Sequence, residues 1–329
     1  MPRFPLLIGC LVGILNCSPG SDSNGQSNWQ IAFDEPTLGA YLCAWGADDE
    51  VWVVGGQPDS GVLWHKRDGQ WTLATIPDGS LLNWTHGADG HQWIVGNTGR
   101  ILHKAPNTNE WVVEQSGVSA PLWGVWAADS NRVFAVGGNP IDTGEPDPIL
   151  LERVDGQWQR IDLPETDRVF RALFKVWGTS ADNVYAVGAK GTILHFDGRS
   201  WRQQNSGTAR DIISLWGHRP DQILAVGGRA NGIILSYNGE QWTPKVLETE
   251  PGLNGVWVSA DGHATVVGER GRILSVDLDD LSYERQDNPQ TSLLHGVWGH
   301  DSGYRIAVGG TLDRNPPWQG SAIEMRHAE

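Results

Sequence analysis

Apolar residues along this chain fall into short blocks separated by glycine-rich or Asp/Asn-rich turns, and the blocks return at a nearly constant spacing. Aligned on an apolar segment that ends in tryptophan, the anchors are Trp45, Trp84, Trp126, Trp177, Trp216, Trp257 and Trp298, at separations of 39, 42, 51, 39, 41 and 41 residues. A period of this size marks a repeat architecture. The clearest copy, LFKVWGTSADNVYAVGAKGTILHFDGRSW, covers residues 173–201 and divides into four strands. The first ends at Trp177. A turn at Asp182-Asn183 leads to the second, VYAV, which Gly188 stops; Gly191 precedes the third, ILHF. Asp197-Gly198, a hairpin signal, then introduces a fourth strand at Trp201.

Other copies keep this grammar. The second strand recurs as VWVV from Val51, VFAV from Val133 and ILAV from Ile223, each followed by Gly-Gly, and as IAV from Ile306. The hairpin turn recurs at Asp68-Gly69, Asp155-Gly156 and Asn238-Gly239, ahead of Trp71, Trp158 and Trp242. Inner strands are apolar almost throughout, as expected of sheets covered on both faces. Four meandering strands in about 40 residues is the size of a propeller blade. The pattern predicts an all-β fold, a seven-bladed β-propeller with four-stranded blades. The seventh copy lacks its fourth strand, and Asn24-Gly25 followed by Trp29-Gln30-Ile31-Ala32-Phe33 supplies one from the other end of the chain. That strand closes the ring and removes an open edge, so residues 29–329 are expected to form one propeller.

Ahead of it, residues 1–15 carry one arginine and then an apolar run, the length of a signal-peptide core and too short to span a bilayer as a helix. Asn16-Cys17 and a polar, Gly/Ser-rich linker over residues 18–28 follow. An apolar run ending at a cysteine and a tether resembles a bacterial lipoprotein leader. The resemblance implies that residues 1–17 are a signal segment and that Cys17 is lipidated. It further implies export to the periplasm, or to the outer membrane or cell surface. Asn16 departs from the small residue that family prefers; Leu7-Ile8-Gly9-Cys10 fits better but leaves Leu11 to Leu15 on the mature chain. An ordinary cleaved signal, giving a secreted protein, is the alternative. The membrane is expected to be touched only through such an anchor.

Composition narrows the partners. The formal charge is −15, from 24 Lys plus Arg against 39 Asp plus Glu. An acidic surface repels phosphate backbones, so nucleic acid is not an expected partner. The cysteines are Cys10, Cys17 and Cys43, which excludes a disulfide framework and a cysteine-rich zinc site. Cys43, in an inner strand, reads as a buried, inert thiol. Nothing in the chain signals oligomerisation, so a monomer is expected.

The pattern VWGxSxxxVxAVGxxGxILxxDGxxW resembles the BNR-type repeats of secreted bacterial propellers and is similar to the photosystem II assembly-factor propellers. Kelch repeats come second, since their copies are longer and carry a tyrosine ahead of the tryptophan. The resemblance implies a fold and not a function, because propellers host enzymes, lectins and adaptors alike. BNR-type repeats also occur in sialidases, whose catalysis needs three arginines, a Tyr/Glu pair and an acid Asp. Of five tyrosines, Tyr185, Tyr237 and Tyr283 fall at repeat positions, leaving Tyr41 and Tyr304, neither beside an obvious glutamate in the sequence. His65, His103 and His195 share one third-strand register, and the ring's rotation keeps them from meeting on one ion. No metal site is expected from them, and no catalytic residue is assigned.

Departures from the repeat carry more information, since loops on a rigid scaffold carry function. The second-to-third connection is only Ala189-Lys190 between glycines in copy four. It swells to NPIDTGEPDP after Gly138, to TLDRNPPWQ after Gly310, and less so to QPDS after Gly56. These connections share one face, expected to hold Asp142, Glu145, Asp147, Asp313, Arg314 and Trp318, with Lys190, Arg229 and Arg270 from shorter loops. An exposed Trp among mixed charges suits a protein or polysaccharide partner. Calcium among Asp142, Glu145 and Asp147 is the one cofactor considered, on their oxygen donors alone; otherwise no cofactor is expected. The expected function is a non-enzymatic exported binding scaffold, with a carbohydrate-active enzyme using the central channel as the alternative.

Overall fold

A computed structural model describes residues 28–47, 49–141 and 144–325. It is a seven-bladed β-propeller: seven four-stranded antiparallel sheets, with helix limited to four single 3-10 turns among the described residues. Blades 1 to 6 span residues 40–73, 82–114, 122–160, 173–204, 212–247 and 253–285, each a meander in chain order. Blade 7 takes three strands from residues 293–325 and its outermost strand, Trp29–Ile31, from the other end of the chain. The register there is Trp29↔Met325, Gln30↔Glu324 and Ile31↔Ile323. Trp29 is 3 % exposed, and its indole N–H donates to Gln286 of blade 6 at 2.9 Å. The closing strand is thus held by the blade beside its own as well. The Asn24-Gly25 turn, the linker, and the leader with Cys10 and Cys17 lie outside the described residues.

First strands of consecutive blades lie side by side in a closed ring around the central channel. One sequence anchor is misplaced. Trp45, Trp126, Trp177, Trp216, Trp257 and Trp298 pair with the second strand at one equivalent position, but in blade 2 that position is His86, opposite Trp93, and not Trp84. Tryptophan two residues away drew the alignment off register, and a two-residue slip in a strand preserves the apparent facing.

The anchors interlock with the following blade. A Cβ on Gly87 would lie 2.8 Å from the Trp45 ring, and one on Gly217 2.8 Å from the Trp177 ring. On Gly178 it would lie 3.0 Å from Trp126, and on Gly299 3.0 Å from Trp257; Gly46 meets Trp298 likewise. Each indole therefore occupies the space that a missing side chain leaves in its neighbour. Two junctions break the rule. Blade 3 has Ala127, and the smaller His86 precedes it, its Nδ1 accepting the Ala127 N–H at 3.2 Å. Blade 6 has Val258, and Trp216 before it is half-buried while the other five anchor tryptophans are buried.

Outer tryptophans lock blades in the opposite sense. Trp201 of blade 4 packs edge-on to Phe134 of blade 3 at 5.7 Å, and Trp242 of blade 5 lies 6.0 Å from Tyr185 of blade 4. Cys43 is fully buried, and burial pushes its thiol up to about 12, as an inert core residue requires.

Candidate binding face and channel mouth

The meander puts the second-to-third and fourth-to-first connections on one face, the loop face, and the remaining turns on the other. Blades 2, 4 and 6 use the same tight turn, whose apex is left-handed: Thr98 at φ 59°, Lys190 at φ 56° and Arg270 at φ 57°. A side chain there stands clear of the turn, and both Lys190 and Arg270 are exposed. The blade 1 expansion proves to be no loop. Gln57 pairs with Ser60, so the extra residues lengthen the hairpin, and only Pro58-Asp59 turn.

The nine expected contact residues do not form one cluster. Lys190 and Arg229 are joined through Asp211, which accepts the Lys190 backbone N–H at 2.9 Å and the Arg229 guanidinium at 2.8 Å. In the blade 3 connection Glu145 is exposed and Asp147 is paired with Arg160, while Asp142 lies outside the described residues. Among the described residues no three metal-capable side chains converge. In blade 7, Asp313 and Arg314 are exposed, but Trp318 is not the free indole expected. It is half-buried against the apolar cluster of Ala40, Leu42 and Leu81. Its indole N–H donates to Arg314 O at 2.8 Å, and the Gln57 amide brackets its backbone at 2.8 and 2.9 Å. Trp318 holds its loop down on blade 1.

What stands exposed instead is Ile141, 87 % accessible, and Val169, 65 % accessible, on the two loop-face connections of blade 3. Guanidinium groups flank them. Arg171 donates to Gly144 O at 2.7 Å, and Arg168 donates to Lys190 O and Thr208 O, both at 3.2 Å. Arg168 thereby ties the blade 3 connection to two further loops.

A second feature is the mouth of the channel. Every first strand carries an irregularity that leaves one residue outside the pairing: Leu42, Asn83, Trp123, Phe174, Ile213, Asn254 and His295. The strand enters from the loop face, so these seven form a layer at its mouth. Five of them, from Trp123 to His295, are half-buried. The next residues inward are Cys43, Trp84, Gly124, Lys175, Ser214, Gly255 and Gly296. Lys175 is 4 % exposed, with its amine over the face of Trp84. Burial holds that amine well below the ordinary lysine range. Burial also pushes His295 down to about 4, although its Nδ1 sits 2.8 Å from Leu42 O. Both layers were missed in the sequence, although these are the two columns of the first strand that vary while their neighbours repeat.

The third-strand histidines are stacked, not merely solvated. His65 lies on Trp52 at 5.0 Å, His103 on Trp93 at 4.7 Å and His195 on Tyr185 at 4.4 Å, each in its own blade. His103 also links His91, at 2.9 Å, to Glu114, at 3.0 Å. Although burial opposes ionisation, hydrogen bonds from His103, Arg153 and Trp158 hold the Glu114 carboxyl down at about 2.

Tyr304 has the glutamate that its sequence neighbourhood did not show. Its hydroxyl donates to Glu324 at 2.8 Å, and Lys66 completes the group at 2.5 Å from the same carboxylate oxygen. The adjoining cleft, about 360 Å³ between blades 7 and 1, is lined by Lys66, Trp298, His300 and Tyr304 and by no arginine.

No family model matches the chain, and no curated protein matches it. Solved structures do. A structure titled YCF48 bound to D1 peptide aligns at TM-score 0.67 and 15 % identity, over 92 % of this chain and 97 % of that one. The WD40 propeller domain of Doa1 aligns at TM-score 0.66 and 13 % identity, over 90 % and 96 %. YCF48 from Cyanidioschyzon merolae aligns at TM-score 0.64 and 15 % identity, over 91 % and 98 %. At such identities the likeness is one of fold.

Proposed function

We propose that this protein is a non-enzymatic scaffold whose loop face binds a protein partner. The observation that carries this reading is the exposure of Ile141 and Val169 beside Arg168, Arg171 and Lys190. Exposed apolar side chains with arginines close by in the chain are the composition of an interface core and its rim. The same two connections carry Glu145, Asp147, Asp162, Glu165 and Asp167, with Asp167 paired to Arg168 at 3.2 Å, so the face suits a partly apolar segment of mixed charge. Similarity to a propeller solved with a bound peptide agrees with a protein partner.

The enzyme alternative is weaker. Tyr304 lines a cleft between blades while the carboxylate of its partner Glu324 is taken by Lys66, and no arginine lines that cleft. Our reading also places the propeller outside the cytoplasm, tethered through a lipid on Cys17, or released if the leader is only cleaved.

The test replaces residues 139–147 and 311–319 by the short turn of blade 4 and compares capture of envelope proteins with the unaltered chain. Loss of one specific partner with folding retained supports the reading. An unchanged set of partners overturns it, and capture of polysaccharide alone transfers the face to a glycan.

A further inference from the structure

The channel mouth carries an inference independent of the protein partner. We propose that it binds a small carboxylate with an apolar body, the carboxylate seated on the Lys175 amine.

Lys175 is a buried amine with no counter-ion among the described residues. It is 4 % exposed, and its amine lies over the Trp84 ring. The ionisable side chains that act on it or feel it electrostatically are Cys43 and His295. Neither is an anion at neutral pH, since the thiol is pushed up to about 12 and the imidazole down to about 4. No carboxylate pairs with Lys175 among the described residues. An ammonium so placed is costly to bury unless an anion accompanies it. The Trp84 face offers a partial counter-charge and no hydrogen-bond acceptor. An incoming carboxylate supplies both.

The surroundings define the rest of the ligand. Between Lys175 and the loop face lie the half-buried side chains of Phe174, Ile213 and Trp123, an apolar wall over nearly half of the seven-residue layer. Asn254 and His295 occupy the other side, with one Asn254 Nδ2 N–H on Leu294 O at 3.1 Å and His295 Nδ1 2.8 Å from Leu42 O. Ser214, 2 % exposed, adds a hydroxyl to the Lys175 layer from the adjoining blade. The bulge layer lies nearer the loop face than Lys175 and Trp84, so a ligand is expected to enter from that face. One cation at the floor and apolar walls above it match a monocarboxylate with an apolar body better than a polyanion or a sugar.

Calorimetry on the intact protein tests this with benzoate and hexanoate, each beside its uncharged amide. An acetylated tripeptide ending in leucine, as free acid and as amide, separates a chain terminus from a free acid. Acids are expected to bind about tenfold or more tightly than their amides. The ammonium is the form that seats a carboxylate, so affinity for the acids should fall as pH rises. Lys175→Met should remove the preference for acids while leaving the thermal transition in place or raising it. Should that variant not fold, Ile213→Trp, which fills the mouth and leaves the lysine, should abolish binding of both acids. Equal affinity for acid and amide, no binding of any acid at millimolar concentration, or unchanged acid affinity in folded Lys175→Met overturns the proposal.

Discussion

Within each first strand, two adjacent regions behave in opposite ways. At the anchor layer, an indole of one blade fills the place of a side chain absent from the next, as Trp177 does at Gly217 and Trp126 at Gly178. Two to three residues nearer the loop face, the same strands carry Cys43, Trp84, Gly124, Lys175, Ser214, Gly255 and Gly296, preceded by seven equally dissimilar residues. The repeated layer holds the ring together. The varied layers differ although several of their side chains also reach the next blade, Cys43 at Thr85 O, Asn254 at Leu294 O and His295 at Leu42 O. What the chain repeats is its packing, and what it varies is its chemistry.

The largest expected effect is on the repeated layer. Trp177→Ala should cost about 3–5 kcal/mol of stability in chemical denaturation, since a buried indole and its cavity are both at stake. A loss under about 1 kcal/mol would mean that the interlock is not what joins the blades. Gly178→Val probes the equivalent contact one junction back and should cost about 1–3 kcal/mol by overpacking against Trp126 and the Asn183 carbonyl. Trp126→Ala should relieve part of that cost in a double-mutant cycle.

Acid should expose the junction where the rule fails. His86 is pushed down to about 3 by burial, so the unfolded chain takes up its proton first. Its contribution is complete above about pH 6.5 and is lost as pH falls toward 3. Glu114, held at about 2, adds a loss from its unfolded value near 4.5 downward. His86→Trp combined with Ala127→Gly rebuilds the interlock and should remove the His86 share of the fall between pH 6.5 and 4. The shares of His295 and of the half-buried His65, His91 and His195 remain. Denaturant midpoints across that range check it. An unchanged slope would mean that His86 is solvated in the folded protein. Smallest of all should be Arg229→Ala, an exposed partner of Asp211, at about 0–1 kcal/mol.

Much of this fold was legible in the sequence because a blade is a local object. Strand blocks, Asp-Gly hairpins and the closing strand at Trp29 all follow from spacing. The blade 2 anchor was not legible, because Trp84 looks like its six counterparts and only pairing with Trp93 reveals His86. Nor was the Tyr304–Glu324 pair, whose members are joined across a sheet and not along the chain. Trp318 was placed on the correct loop but given the wrong exposure, since Gln57, from the far end of the chain, pins it. Ile141 and Val169 drew no notice, because exposure is a property of the folded ring.

The central claim is that one face binds and the other does not. Capture of the same partner by two matched variants tests it most directly: Ile141→Ser with Val169→Ser on the loop face, and Arg199→Ser with Asp221→Ser on the opposite face. The first pair should lose the partner while the second keeps it, with both variants unfolding at the temperature of the parent. Retention by the first pair and loss by the second would contradict it.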